Sequence, residues 1–295
     1  KTKGIMPVHY GGYPVNMDRI MEIAQKYHLL VVEDTAEAHG SEWRGKKVGS
    51  IGDMGCFSFQ MGKPLTCGEG GMVLTNSEEL QNKCSAYGDF GRRPEDTAIF
   101  ASTDFAFREA IKQAKYVPYV PAGDCRLSEF LGALLLVQLS RLDEQIEVRY
   151  KNGEYLAAEL EKIGGISALK KDPRVTKRSY YYYFLRYDAS QWNGIPRDKF
   201  MQALAAEGVS LSKAHNYPVY KYPLFREPFG RTGCPISCSF YGRKIDYSKV
   251  RCPVAERVYQ SEIMASNKNF LMERENVNKV LEAIHKIREN MGELT

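Results

Sequence analysis

Short apolar runs alternate with helical periodicities through the first half of the 295-residue chain. Residues 5–10 read as a strand closed by Gly11 and Gly12. Asn16 then stands as an N-cap ahead of a helix through Lys26, with Ile20, Ile23, Ala24 and Tyr27 recurring on one face. Residues 29–32 form a β-branched run that ends abruptly in Glu33 and Asp34, the pattern of a buried parallel strand at its carboxyl end. Strand, helix and strand in that order predict a right-handed βαβ unit, and hence a doubly wound large domain. Residues 43–53, rich in glycine and lysine, read as a hairpin excursion. Residues 56–59 and 72–75 are further strands, and Gly68, Gly70 and Gly71 between them mark a tight turn. Ser77 caps a helix through about Ser85.

Periodicity is lost over residues 88–122, where Arg92, Arg93 and Arg108 read as exposed cations. It returns at 127–142 with leucines almost all round, which predicts a helix buried on several sides. A long amphipathic helix over 143–163 ends at Gly164 and Gly165 and leads into a C-terminal domain. The organisation expected is a large domain over 1–144 and a small one over 145–295. In the latter, 180–187 reads as a strand that opens with four consecutive tyrosines. They form a half-buried sheet face or line a sugar pocket with their hydroxyls. A helix over 196–207, a strand over 209–211 and a helix over 254–264 follow. The terminal helix, 274–289, places Val277, Val280, Leu281, Ile284 and Ile287 on one face. His215 and Tyr217 lie in a Tyr- and Pro-rich stretch and suit either a pocket wall or turn packing.

Composition narrows the class. Hydrophobic residues at 43% and charged ones at 26% are ordinary for a soluble globular protein. The formal charge of +5 is spread among 36 acidic residues, which argues against a nucleic-acid footprint. Seven cysteines without paired-ligand spacing argue for a reducing compartment, the cytoplasm, and against a metal site. No apolar run reaches the length of a membrane span.

The chemically loaded stretch is 31–76. Lys63 follows the 56–59 run in a segment free of other charge from Met54 to Gly68, and desolvation there would free a nucleophilic amine. Lys46 and Lys47, its rivals, sit in a polar turn that suits a solvated ammonium. A strand-end aspartate, Asp34, paired with such a lysine suits pyridoxal phosphate, whose pyridinium nitrogen needs an anion and whose aldehyde needs an amine. His39 reads either as a structural hydrogen-bonding residue or as one that acts directly in catalysis at the substrate.

The stretches EDTAEAHG (33–40), GSIGDMGCFSF (49–59) and KPLTCGEGGMVLTN (63–76) resemble the DegT/StrS family of sugar aminotransferases, fold type I pyridoxal phosphate enzymes. The likeness covers essentially the whole chain. It implies a three-layer α/β/α cofactor domain, incomplete at its N-terminus, followed by a smaller α/β domain, in a homodimer. On the resemblance Lys63 supplies the Schiff-base amine and Asp34 bonds the pyridine nitrogen. Ala36 packs on the ring, and Ser58 donates to the cofactor phosphate. Glu37 stands where members usually carry glutamine or histidine, and Asp124, in GDCRLSEF (123–130), where they carry an asparagine that reaches the partner's phosphate. The implied reaction moves an amino group from glutamate or glutamine to a ketone on a nucleotide sugar or a cyclitol. GKPLTCGEGG (62–71) is most similar to members acting on inosose-like cyclitols or aminoshikimate-type rings. Two other classes stay open: the related sugar dehydratases, which carry histidine in place of the lysine, and a non-catalytic relative. The chain is expected to lack the leading part of the large domain and, by itself, to bind cofactor weakly and to show no transamination until that part is restored.

Overall fold

A computed structural model of the protein describes residues 1–92, 120–214, 218–226, 246–265 and 271–294. The elements run β1 (Gly4–Ile5), α1 (Met17–Tyr27), β2 (Leu30–Asp34), β3 (Glu42–Trp43), β4 (Lys46–Lys47), β5 (Met54–Ser58), β6 (Gly71–Leu74), α2 (Glu78–Gly88), α3 (Glu129–Ser140) and α4 (Leu142–Ile163). They continue with β7 (Ile166–Ala168), β8 (Val175–Lys177), β9 (Tyr183–Tyr187), α5 (Arg197–Ala206), β10 (Ser212–Lys213), α6 (Pro253–Ser261), β11 (Glu262–Ala265) and α7 (Arg274–Glu289). Two compact units result. One comprises Lys1–Tyr150 with Lys171–Tyr181, the other Lys151–Lys170 with Tyr182–Thr295.

The first unit is built on a sheet in the order β1-β2-β5-β6, in which β1, β2 and β5 are parallel and β6 is antiparallel. Pro7 has no N–H to give, so the strand expected over 5–10 is reduced to two residues. Its continuation still follows β2: the Asp34 amide donates to the Pro7 carbonyl at 2.9 Å, and the His9 amide donates to the Asp34 carbonyl at 3.0 Å. Asn16 caps α1 by accepting from the Arg19 amide at 3.1 Å, and His28, at φ 53°, turns the chain back into β2. The buried stripe of α1 runs through Met17, Ile20, Met21 and Ala24 onto Val31. Tyr27, expected on that face, is 59% exposed, since it lies past the last turn that meets the sheet. Arg44 and Gly45, both left-handed, make the two-residue loop between β3 and β4, and β8 adds a third strand to that hairpin.

Helix α3 departs from expectation. Leu135 is buried and packs with Phe59, Leu65, Cys67, Leu142 and Ile146, but Phe130 is 88%, Leu136 69% and Val137 62% exposed. A leucine-rich helix is buried only where another surface meets it, and among the described residues one face of α3 is met. Arg92, expected to be exposed, is buried against Asp89 at 3.4 Å and lies over the Phe90 ring. Arg93 and Arg108 lie outside the described residues.

The second unit holds an antiparallel sheet in the order β10-β11-β9-β7. Tyr187, Trp192 and Phe200 stack in its core, and α7 buries Val277, Val280, Leu281, Ile284 and Ile287, the face its periodicity predicts. Three boundaries move. The tyrosine-rich strand begins at Tyr183, because Tyr180 adopts φ 49° and breaks the extended run. The strand expected over 209–211 forms at 212–213. The helix expected through 264 stops at Ser261, and residues 262–265 pair with β9 instead. Tertiary pairing overrides local propensity there.

Candidate active site

The carboxyl end of β2 is fixed by Glu33. Its side chain is fully buried and accepts from the backbone amides of Gly49 (2.8 Å), Ile51 (2.7 Å) and Gly52 (2.7 Å), which draws the connection between β4 and β5 across the strand. The fourth bond comes from His9 Nε2 at 3.0 Å. His9 Nδ1 accepts from the Val15 amide at 3.2 Å, so the ring is the neutral Nε2–H tautomer and the pair is a hydrogen bond, not an ion pair. Burial by itself would raise the Glu33 carboxyl. The bonds from His9, Gly52, Gly49 and Ile51 outweigh it and hold the group below the usual carboxylate range. The crossing is tight enough to demand glycine, since a Cβ on Gly55 would meet the Gly49 carbonyl oxygen at 2.0 Å.

On this frame the loop after β2 presents Asp34, Ala36, Glu37 and His39. Asp34 Oδ1 accepts from the Ala36 amide at 3.1 Å, and among the described residues no cation pairs with the carboxylate. Glu37 Oε2 accepts from the Gly11 amide at 2.9 Å, an amide turned toward it by the left-handed backbone of Gly11 (φ 65°). Glu37 Oε1 faces Lys63 Nζ at 3.3 Å, and the side chains are only 17% and 14% exposed. Lys63 is carried by a loop folded back on Phe59, whose carbonyl accepts from Thr66 Oγ1 and the Cys67 amide. The same amine lies 4.7 Å from the centre of the Tyr181 ring.

Tyr181 arrives from the segment that returns to the first unit. Ser41 Oγ donates to the Gly12 carbonyl at 2.9 Å and accepts from the Ser179 amide at 2.9 Å, which ties that segment to the glycine turn after β1. Gly12 must be glycine, because a Cβ there would lie 2.5 Å from Ser179 Oγ. Ser58 closes β5, accepting from the Gln60 amide at 3.3 Å and keeping its hydroxyl proton to give. His39 is 2% exposed between Phe57 and Phe59, with both ring nitrogens unpaired among the described residues. Burial, opposed by the nearby Ser58 backbone and aided by the Lys63 charge, pushes its pKa down to about 4.

Of the residues singled out from sequence, Lys63 and Glu37 meet directly. Asp34, Ala36, His39 and Ser58 share the carboxyl ends of β2 and β5 with them, and His215 and Tyr217 lie outside the described residues. Lys46 and Lys47 are exposed on β4, and Lys47 pairs with Asp143. Asp124 is gripped by Arg126 through two side-chain bonds of 2.9 and 3.0 Å, which take its pKa down to about 2 and leave it an acceptor only. Sequence reasoning did not single out Tyr181, Gly11 or His9. The run of four tyrosines carried a signal for the first; the other two act through backbone and scaffold and carried none. The set suits pyridoxal phosphate: among the described residues Asp34 keeps an oxygen free of protein partners for a ring N–H and Ser58 keeps a donor for a phosphate oxygen, and Lys63 offers an amine.

Known proteins resemble the chain in sequence and in fold. A Micromonospora echinospora protein, provisionally named an L-glutamine:3-amino-2,3-dideoxy-scyllo-inosose aminotransferase, is 35% identical over 298 residues, covering 100% of this chain and 66% of its own. The L-glutamine:2-deoxy-scyllo-inosose aminotransferase of Streptoalloteichus tenebrarius is 32% identical over 99% of this chain and 66% of its own. The chain thus spans about two thirds of the length of these curated relatives. Among solved structures, the aminotransferase from Psychrobacter cryohalolentis superposes with a TM-score of 0.77 at 28% identity, over 99% of this chain and 70% of that one. The family description itself matches residues 1–246, and the chain belongs to the DegT/DnrJ/EryC1/StrS aminotransferase family.

Proposed function

We propose that the protein is a pyridoxal phosphate-dependent aminotransferase that moves an amino group from glutamine, or glutamate, to a ring ketone of a cyclitol or nucleotide-linked sugar. The observation that carries the reading is Lys63. A lysine amine, not the imidazole of the related dehydratases, stands at the carboxyl ends of the parallel strands within reach of a carboxylate. The two relatives named above point to glutamine as donor and an inosose as acceptor. The cofactor, when bound, supplies an electron sink for the carbon that loses its proton. Asp34 would accept the ring N–H, Ser58 would donate to a phosphate oxygen, and Ala36, half-buried beside Asp34, would pack on the ring face. Lys63 Nζ, once neutral, is the base that takes a proton from the donor's α-carbon and returns it during transfer.

A homodimer in the cytoplasm fits the same reading. The exposed apolar side of α3 supports association, and the five cysteines described are all unpaired, as in a reducing compartment. The test is amino transfer by the full-length gene product from glutamine and from glutamate to a panel of inososes and keto-sugars, read by mass spectrometry of the aminated product. Product with a cyclitol ketone and glutamine is expected. Cofactor binding without product from any donor would make the protein a non-catalytic relative.

A further inference from the structure

Lys63 is held from two sides. Glu37 Oε1 lies 3.3 Å from Nζ, and the Tyr181 ring presents its face at 4.7 Å. Both partners are themselves anchored. Glu37 keeps its second oxygen on the Gly11 amide, and the segment bearing Tyr181 is pinned through Ser179 to Ser41. A Cβ on Gly62 would sit 3.2 Å from the Tyr181 hydroxyl, so the lysine loop passes close to the phenol. Among the described residues His39 also senses the amine, as a neutral imidazole whose proton the Lys63 charge helps to exclude.

We infer that Glu37 and Tyr181 are positioning residues for Lys63 that grip its ammonium form, so that the nucleophilic amine appears only when that grip is undone. The physical reason is that a carboxylate and a ring face both favour the charged amine over the neutral one, and more strongly where water is thinned out. A neutral glutamine at position 37 would keep the bond to Gly11 but not the charge. The inference deepens the reading of Lys63 as the reactive amine and rests on it. It also gives position 37 a distinct role: to hold the amine in place through its charge.

Acylation of the ligand-free full chain by trace acetic anhydride, mapped by peptide mass spectrometry with solvent-exposed Lys46 as internal standard, tests the grip without cofactor or donor. In Glu37→Gln, Lys63 is expected to label about tenfold faster than wild type near pH 7, as expected when an opposite charge within contact is removed. The gap should narrow in strong alkali, where the wild-type ammonium also gives up its proton and charge no longer separates the two chains. Tyr181→Leu is expected to speed labelling by about threefold near pH 7, and Tyr181→Phe, which keeps the ring face, to leave it at the wild-type rate. Labelling in Glu37→Gln that is unchanged or slower overturns the inference. So does a gain that persists equally at high pH, which would mean opened access and not released charge. Failure of amino transfer in the separate product assay would count against the proposed function and leave these labelling results standing.

Discussion

Glu33 and Glu37 lie four residues apart on either side of the end of β2, and their surroundings differ in saturation. Glu33 has three backbone amides and a histidine ring on its two oxygens and is sealed from water. Glu37 has one backbone amide and one lysine, and solvent still reaches it. A buried carboxylate with its acceptor capacity met has nothing left to exchange, and its free energy goes into holding the loop that carries the site. A carboxylate with one movable partner can trade that partner for a ligand. The same contrast separates His9, bonded at both nitrogens, from His39, bonded at neither among the described residues.

Substitutions can break that contrast. On the exchangeable side, Lys63→Ala should reduce amino transfer to background with the fold intact by circular dichroism, because no other described amine reaches the site; residual turnover within tenfold of wild type would remove Lys63 from the chemistry. Asp34→Asn should still take up cofactor yet lose about a hundredfold in rate, since a neutral partner no longer favours the protonated ring. Near-normal turnover would reduce Asp34 to a strand cap. On the saturated side, Glu33→Gln should lower stability by about 3 kcal/mol in a urea titration, because an amide NH2 then faces amide donors in a sealed site. The pH dependence has a definite sign. Glu33 has its native pKa lowered, so its contribution is complete above the ordinary carboxylate range, near pH 4.3, and is lost as pH falls through the native value. The wild-type advantage over Glu33→Gln should therefore shrink in acid. The smallest effect belongs to His39. As pH drops from the ordinary 6.5 toward about 4, the unfolded chain takes up a proton that the folded site excludes, so stability falls across that interval. His39→Leu should flatten this slope in pH-dependent thermal melts, and an unchanged slope would show that His39 does not titrate there.

Much of the site was legible because its chemistry is written in side chains that break their local pattern. Asp34 interrupts a β-branched run, Lys63 interrupts an uncharged one, and both sit where those interruptions predict. Asn16 and Ser77 cap helices by the bonds their side chains were expected to make. What escaped depends on distance in sequence or on backbone. Glu33 looked like half of an acidic pair, and nothing in its neighbours announces that amides 16 to 19 residues on would claim both its oxygens. Tyr181 looked like part of a strand, and only the left-handed turn at Tyr180 and the anchoring of Ser179 aim it at Lys63. The apolar richness of α3 predicted burial all round. Composition states what a helix can bury, while the partner surface decides what it does bury. Position 264 went from helix to strand because residues 262–265 find a waiting partner in β9, which no local pattern encodes.

The excursion that brings residues 171–181 back to the first unit also imposes a schedule on synthesis. Ser41 and Ser179 are 138 residues apart, so the pin that seats Tyr181 cannot close until that much chain has left the ribosome. At roughly 10 residues per second, within the usual range of translation rates, Lys63 emerges about ten seconds before the ring that will cover it. During that interval β2, β5 and the lysine loop can fold around Glu33, whose partners all lie within the first 52 residues, while the amine stays open to the metabolites of the cell.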